Sequence, residues 1–295
     1  MLTAEQVKDY AKEAGADLVG IASMDRFEGA PRQMDPRYIF PDAEAMIVMG
    51  FRIPRGCLRG IEEGTFYVSY CGMGYAGINF VLQPTVLWKI VRMLEDEGYE
   101  AVPIPNNFPW CHIQTQTGEP RANWSRPVSP DKPAPDVFIH LRIAAVAAGL
   151  GEIGYGKVFL SPEFGPRQRL ACIITDAPLA PDPLFAGEIC DRCMLCVQDC
   201  TANAISETET VKVNVAGKEL EWGKLDVDRC KVGFQWPDPE HNPFLVEPSP
   251  VYVYGRALEG ARGCIRACMI HLEEEGRINK TFKNPFRKRK PWRIQ

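Results

Sequence analysis

The sequence predicts an α+β chain in two parts, a mixed helix and strand domain over residues 1–178 and a cysteine-rich domain over 179–295. Three observations predict it. Apolar runs of strand length, Asp17–Ala22 and Ala45–Phe51, stand among stretches of helical periodicity in the first part. A proline-rich connector, Pro178–Pro183, follows them. Beyond it lie Cys190, Cys193, Cys196, Cys200, Cys230, Cys264 and Cys268, out of 11 cysteines in all. A length of 295 residues suits about two domains. With 45% apolar and 24% charged residues, the chain has the balance of a globular protein able to bury its own core.

The elements follow in order. Thr3 with Gln6 forms a capping-box pattern, so a helix is expected over Thr3–Ala14, stopped by Gly15. The two apolar runs read as strands of a sheet covered on both faces. Residues 65–77, rich in aromatics and glycine, read either as a loop packed on its own rings or as a place where backbone approaches a flat ligand. Tyr70, Gly72, Gly74 and Tyr75 would then be the contacts. Ile78, Val81, Leu82, Val86, Ile90 and Leu94 recur at helical spacing, which predicts a core helix over 78–97 with Pro84 near its start, then a strand over Tyr99–Ile104. Residues 103–135 read as a long irregular loop, and Phe138–Ala148 as a helix. Gly149-Leu-Gly151-Glu-Ile-Gly154 reads as a glycine turn, followed by a hairpin of Lys157–Leu160 with Arg169–Thr175. The glycine spacing matches a dinucleotide fingerprint, but it follows a helix and precedes a strand, the reverse of the required context. In the second part, a polar hairpin is expected over Glu207–Trp222, an irregular loop over 233–250, and a helix over Ala257–Glu275. The tail Lys280–Arg293 interleaves basic residues with Phe282, Phe286 and Trp292. It reads as a solvated or docking tail ahead of a nucleic-acid contact.

The cysteines carry the chemistry. Cys190-x2-Cys193-x2-Cys196-x3-Cys200 is the spacing of bacterial ferredoxins, in which three thiolates hold one [4Fe–4S] cluster and the fourth reaches another. A structural zinc site more often pairs two separate C-x2-C knuckles. Cys264-x3-Cys268 repeats the end of that run. Crossed ligation then groups Cys190, Cys193 and Cys196 with Cys268, and Cys200 with Cys230 and Cys264. The second set is one thiolate short, because Ala261 stands where a further cysteine would complete the motif. That cluster is [3Fe–4S], or a [4Fe–4S] completed by another residue; Cys57, Cys71, Cys111 and Cys172 are available. Thiolate ligands imply a reducing compartment. With no leader-like or membrane-spanning run, the chain reads as cytoplasmic. A net charge of −4 makes no general case for nucleic acid.

Three stretches, Ala148–Gly154, Leu160-Ser-Pro-Glu-Phe-Gly-Pro-Arg167 and Thr175-Asp-Ala-Pro-Leu179, followed by the cysteine run, resemble the reductive dehalogenase and epoxyqueuosine reductase superfamily. The resemblance implies a nitroreductase-like α/β domain that binds a corrinoid (cobalamin), followed by a ferredoxin-like domain with two clusters. It implies electron delivery from an external donor such as ferredoxin or flavodoxin, and reduction of a small organic substrate. Tyr155 stands where these families usually have Arg or Lys, and Asp136 falls near the aspartate that donates a proton in epoxyqueuosine reductases. Proton-donor candidates are Tyr155, His140, Asp136, Tyr70 and Tyr75, with Lys157 as a cationic neighbour. Gly149, Gly151 and Gly154 join Tyr70, Gly72, Gly74 and Tyr75 as cofactor contacts. The leading reading is a reductive dehalogenase-like enzyme, with a homodimer possible. The alternatives are an electron-transfer protein that docks a corrinoid-bearing partner, and a tRNA-modifying reductase whose basic tail holds RNA.

Overall fold

The computed structural model describes residues 2–106, 111–113, 120–123, 126–200, 202–230, 246–247 and 264–286. Helix α1 (Ala4–Ala14) starts at the expected capping box: Gln6 N–H donates to Thr3 Oγ1, and the Gln6 side chain accepts from Thr3 N–H. Gly15 ends it at φ +124. Strands β1 (Leu18–Ser23), β2 (Ala45–Arg52), β3 (Ala101–Ile104) and β8 (Gln168–Thr175) form one antiparallel sheet in the order β1-β2-β8-β3.

Alternation along these strands builds two cores. Ala45, Ile47, Met49 and Phe51 of β2, with Ala171 and Ile173 of β8, face α1, α2 (Gly56–Glu63) and α3 (Gln83–Asp96). Met46 and Val48, with Leu170, Cys172 and Ile174, face the opposite way, onto α4 (Leu141–Ala147). That is why both strands read as continuous apolar runs. Met269, Ile270 and Phe286 complete the first core, and Val215, Leu220 and Trp222 the second. Each core therefore draws residues from both sides of position 178.

Four expectations change. The aromatic stretch is not a loop. Tyr70–Leu82 is a widened helix, closed by Gln83 N–H donating to Ile78 O, and it runs directly into α3, with Pro84 at the junction of the two. The proline-rich connector is pinned along β1: Asp182 N–H donates to Ile21 O at 2.9 Å, and the Asp182 carboxylate accepts from Ile21 N–H at 2.9 Å and Lys8 Nζ at 2.8 Å. The expected hairpin of 157–160 with 169–175 does not form. Strand β7 (Phe159–Leu160) instead pairs with β6 (Glu152–Ile153), while β8 lies between β2 and β3. A short ladder of β4 (Cys111–Ile113) and β5 (Pro120–Asn123) occurs inside the segment expected to be irregular.

The second part adds a one-turn helix α5 (Leu195–Gln198), the long hairpin β9 (Ile205–Val215) and β10 (Lys218–Leu225), and α6 (Cys264–Glu274). The hairpin was expected within a few residues of its bounds. The expected helix start at 257 and the loop 233–250 lie almost wholly outside the described residues.

Two buried ion pairs fasten α6 to the first part. Arg266 donates to Glu62, and Arg55 makes a bidentate contact with Glu273 at 2.7 and 3.1 Å. Phe282 of the tail lies against the Arg55 and Arg167 guanidinium groups, 4.2 and 5.4 Å from its ring centre. Phe286 sits under Arg55 and Arg59. The aromatic residues in the described part of the tail therefore serve internal cation–π contacts. Glu62→Gln leaves a buried guanidinium without its counter-charge. Urea denaturation of this variant is expected to show a loss of about 3 kcal/mol.

Candidate metal and redox site

The site begins at the glycine turn. Gly149 and Gly151 hold φ values of +74 and +154. A Cβ at Gly149 would lie 2.1 Å from Pro183 O, and one at Gly151 2.0 Å from Leu160 O. The chain's own close packing thus requires glycine at both positions. Gly154 is different: a Cβ there would meet Leu160 and, at 3.4 Å, Cys190 Sγ. At Gly156 it would stand 3.2 Å from Cys196 Cβ and 3.6 Å from Cys264 Cβ. The turn is a bed for cysteines. Between the glycines, Glu152 Oε1 accepts from the N–H groups of Ile189 and Cys190 at 2.8 and 2.6 Å, which fixes where the cysteine loop begins.

The loop folds back on itself because Arg192 and Met194 adopt left-handed backbone, at φ +56 and +62. This brings Cys190, Cys193 and Cys196 to one cavity with Cys268 and the edge of Cys264. On α6, Cys264 and Cys268 are four residues apart and so share a face. The thiols sort into two neighbourhoods. Those acting electrostatically on Cys268 are Cys190, Cys196 and Cys193 ahead of Cys264; those acting on Cys264 are Cys230, Cys200 and Cys196. Backbone N–H groups point at sulfur: Tyr155 N–H at Cys190 Sγ, 3.4 Å, and Ala204 N–H at Cys200 Sγ, 3.2 Å.

Burial, then repulsion from neighbouring thiolates, pushes Cys196 up to about 11 and Cys264 up to about 12 and raises Cys268, while burial and then the Asp191 carboxylate raise Cys193. Thiols gathered this closely ionise together only around a cation, so the donor set fits a metal centre. The same cavity holds a hydrogen bond between His271 Nε2 and Asp191 Oδ2 at 2.7 Å. Asp191, Cys193 and His271 offer ligand atoms within 4.8 Å of one another.

Sequence reasoning missed Glu152, Gly156, Asp191 and His271. Only the position of Asp191 inside the cysteine run gave a signal. The spare cysteines lie elsewhere: Cys57 and Cys172 are in the two hydrophobic cores and Cys71 is buried on the widened helix, while the Cys111 side chain is outside the described residues.

The other candidates divide. Tyr155 Oη donates to the carbonyls of Ser206 and Glu207, each at 3.0 Å, and burial raises its pKa, so its hydroxyl anchors the hairpin. His140 caps α4, its Nδ1 accepting from Ile143 N–H at 3.3 Å. Loss of hydration, with Arg142 and Lys157 nearby, pushes His140 down to about 3 and keeps it neutral. Asp136 lies exposed on a left-handed turn at φ +62. Lys157, also left-handed at φ +61, is buried with its amine 5.5 Å from the Trp222 ring centre, and burial lowers it to about 8.

Tyr70 and Tyr75 form a separate centre. Arg169 of β8 donates through Nη2 to Tyr70 Oη at 2.9 Å, and its guanidinium lies 4.6 Å from the Tyr75 ring centre. On the same helical row, Asn79 accepts from Asn106 at 3.4 Å, while its Nδ2 and both amide atoms of Gln83 are buried with no hydrogen-bond partner among the described residues. Gly74 is pressed against the Tyr70 ring, whereas a Cβ at Gly72 would meet nothing within 4 Å.

Fold and site together define an α+β chain with a thiol-rich candidate metal centre. No family model matches it. A tetrachloroethene reductive dehalogenase of Sulfurospirillum multivorans is 36% identical over 101 residues, 32% of this chain and 20% of that one. A tetrachloroethene reductive dehalogenase of Desulfitobacterium hafniense is 46% identical over 72 residues, 23% and 13% of the two chains. A solved catabolic reductive dehalogenase superposes with a TM-score of 0.57 at 19% identity, over 92% of this chain and 36% of its own. A reductive dehalogenase structure described with a mechanism for B12-dependent dehalogenation superposes with a TM-score of 0.56 at 20% identity, over the same shares. The chain thus spans a minor part of the length of these relatives. Over the matched residues the chain is similar to reductive dehalogenases, one part of the resemblance its motifs suggested. Among the described residues, no helix is long and apolar enough to cross a membrane.

Proposed function

We propose that the chain is a corrinoid-dependent iron–sulfur reductase of a small organic substrate, built as a nitroreductase-like domain joined to a ferredoxin-like one. The observation that carries this reading is the convergence of motif cysteines from residues 190–200 and 264–268 beside the glycine turn. Cys190, Cys193, Cys196 and Cys268 hold one [4Fe–4S] cluster. Cys200, Cys230 and Cys264 hold the second, and an external ferredoxin or flavodoxin supplies the electrons.

The corrinoid part rests on the Tyr70 centre. Buried carboxamides of Asn79 and Gln83 with hydrogen bonds unmet among the described residues, two tyrosine rings and the open flank of Gly72 suit a large, flat group fringed with amides. When bound, a corrinoid supplies the low-potential cobalt that cleaves a carbon–halogen or carbon–oxygen bond. Tyr70 delivers the proton from Oη, and the Arg169 guanidinium stabilises the phenolate left behind. Burial of Tyr70 keeps water from competing for that proton. The B12 dependence of a structural neighbour supports the assignment.

Anaerobic metal analysis tests it. Material reconstituted with iron, sulfide and cobalamin is expected to retain about one cobalt per chain. Iron without cobalt would leave an electron-transfer protein, and zinc alone would remove the redox reading altogether.

A further inference from the structure

We propose that the cavity between the start of α4 and the end of β9 binds a small, neutral, mainly apolar molecule carrying one carbonyl oxygen, with the His140 ring as its hydrogen-bond donor. The site is separate from the Tyr70 centre and needs neither the clusters nor the corrinoid of the reading above.

Three segments wall the cavity: the stretch from Arg26 to Pro36 after β1, residues 139–143 at the head of α4, and Val213–Val215 on the hairpin. It therefore forms only where the two parts of the chain meet. Its volume is about 80 Å³. One water needs roughly 10–15 Å³ of such space, so a molecule of about five or six non-hydrogen atoms fits. Phe27, Pro36, Ile139 and Val215 are buried on its walls, and Ile143 and Val213 half-buried. Water finds few partners against such walls and is readily displaced by an apolar molecule. Phe27, Ile139 and Val215 belong to the second core, whereas Tyr70 belongs to the first, which places the cavity on the other side of the sheet from the Tyr70 centre.

One polar ring interrupts these walls. His140 caps α4 through Nδ1, which accepts from Ile143 N–H, and burial, then the charges of Arg142 and Lys157, keep the ring neutral. A neutral imidazole that accepts at one nitrogen carries its hydrogen on the other, so the cap fixes the proton on Nε2. Among the described residues no hydrogen bond is made at Nε2. The remaining polar groups of the lining are engaged or exposed. Arg26 donates to Ala147 O at 2.6 Å, Asn214 Oδ1 accepts from Gly217 N–H at 3.0 Å, and Glu28 is exposed. A donor left over in an apolar recess favours a ligand that brings an acceptor. The positive potential at the ring suits the negative end of a carbonyl dipole and opposes an ammonium ion. A carboxylate would lose more hydration on entering these walls than one N–H returns.

The test is a titration of the full chain with cyclopentanone, cyclopentane and propanoate, followed by nitrogen-15 NMR of the histidine rings. Cyclopentanone is expected to bind with a Kd of about 1 mM, within the range open to so small a ligand, and to shift the His140 Nε2 signal. Cyclopentane, which offers no acceptor, is expected to bind about tenfold more weakly, and propanoate more weakly again. Val213→Phe puts a ring into the cavity and is expected to abolish binding of all three while the melting temperature holds. His140→Asn keeps a capping side chain at the head of α4 and is expected to erase the preference for ketone over hydrocarbon. Equal binding of ketone and hydrocarbon to the wild-type chain, an unmoved His140 signal, or tighter binding of propanoate overturns the inference. So does a Val213→Phe chain that binds cyclopentanone as well as the wild type. None of these failures touches the reductase reading, which iron and cobalt analysis decides separately.

Discussion

Cys268→Ala is expected to erase the same iron–sulfur signal as Cys196→Ala, and Cys264→Ala the same signal as Cys200→Ala. Each variant should lose about half of the iron and one of two EPR features, because a cubane robbed of a thiolate is left open to solvent and oxidant. The pairing is the informative part. Cys264 and Cys268 are one helical turn apart on α6, yet Cys268 is acted on most by Cys190, Cys196 and Cys193, and Cys264 by Cys230 and Cys200. Zinc bound by Asp191, Cys193 and His271 would give a different pattern: His271→Ala would lose the metal, and Cys200→Ala would not.

Tyr70→Phe is expected to lower the rate of substrate reduction by about 10²–10⁴-fold while iron and cobalt contents stay unchanged. The substitution removes one oxygen from a buried ring in contact with Arg169 and leaves the packing intact. A solvent isotope effect on turnover should grow in the variant as the remaining proton source becomes limiting. Tyr155→Phe serves as the contrast. Its hydroxyl is committed to the Ser206 and Glu207 carbonyls, so the loss should be one of stability, about 1 kcal/mol, with turnover retained. A Tyr70→Phe enzyme that turns over at the full rate would remove Tyr70 from the chemistry and return attention to the residues beside the clusters.

Several features were legible in the chain because they depend on neighbours in sequence. The capping box of Thr3 and Gln6, the strands at 18–23 and 45–52, and the hairpin after the cysteine run all follow from local chemistry. The widened helix at Tyr70–Leu82 was not legible, since glycines and aromatics read as a loop until an adjoining helix and a sheet cover one side of them. The glycine turn shows the same limit. The resemblance made its glycines cofactor contacts, while their packing could not be read: Gly149 and Gly151 answer to Pro183 and Leu160, and Gly154 meets a thiol. Lys157 and His140 looked like acid–base groups by type. Backbone strain, burial and a cap at a helix start are properties of position, which residue type does not disclose.

By itself the sequence determined that the motif cysteines lie in separated runs, because their spacing is set along a few consecutive bonds. It also pointed to the reductive dehalogenases to which the chain is similar. The tertiary structure alone decided which thiols meet, what the glycines face, and which tyrosine stands beside a guanidinium. Those contacts join residues tens of positions apart, and they form only when α6, the glycine turn and the sheet pack against shared cores.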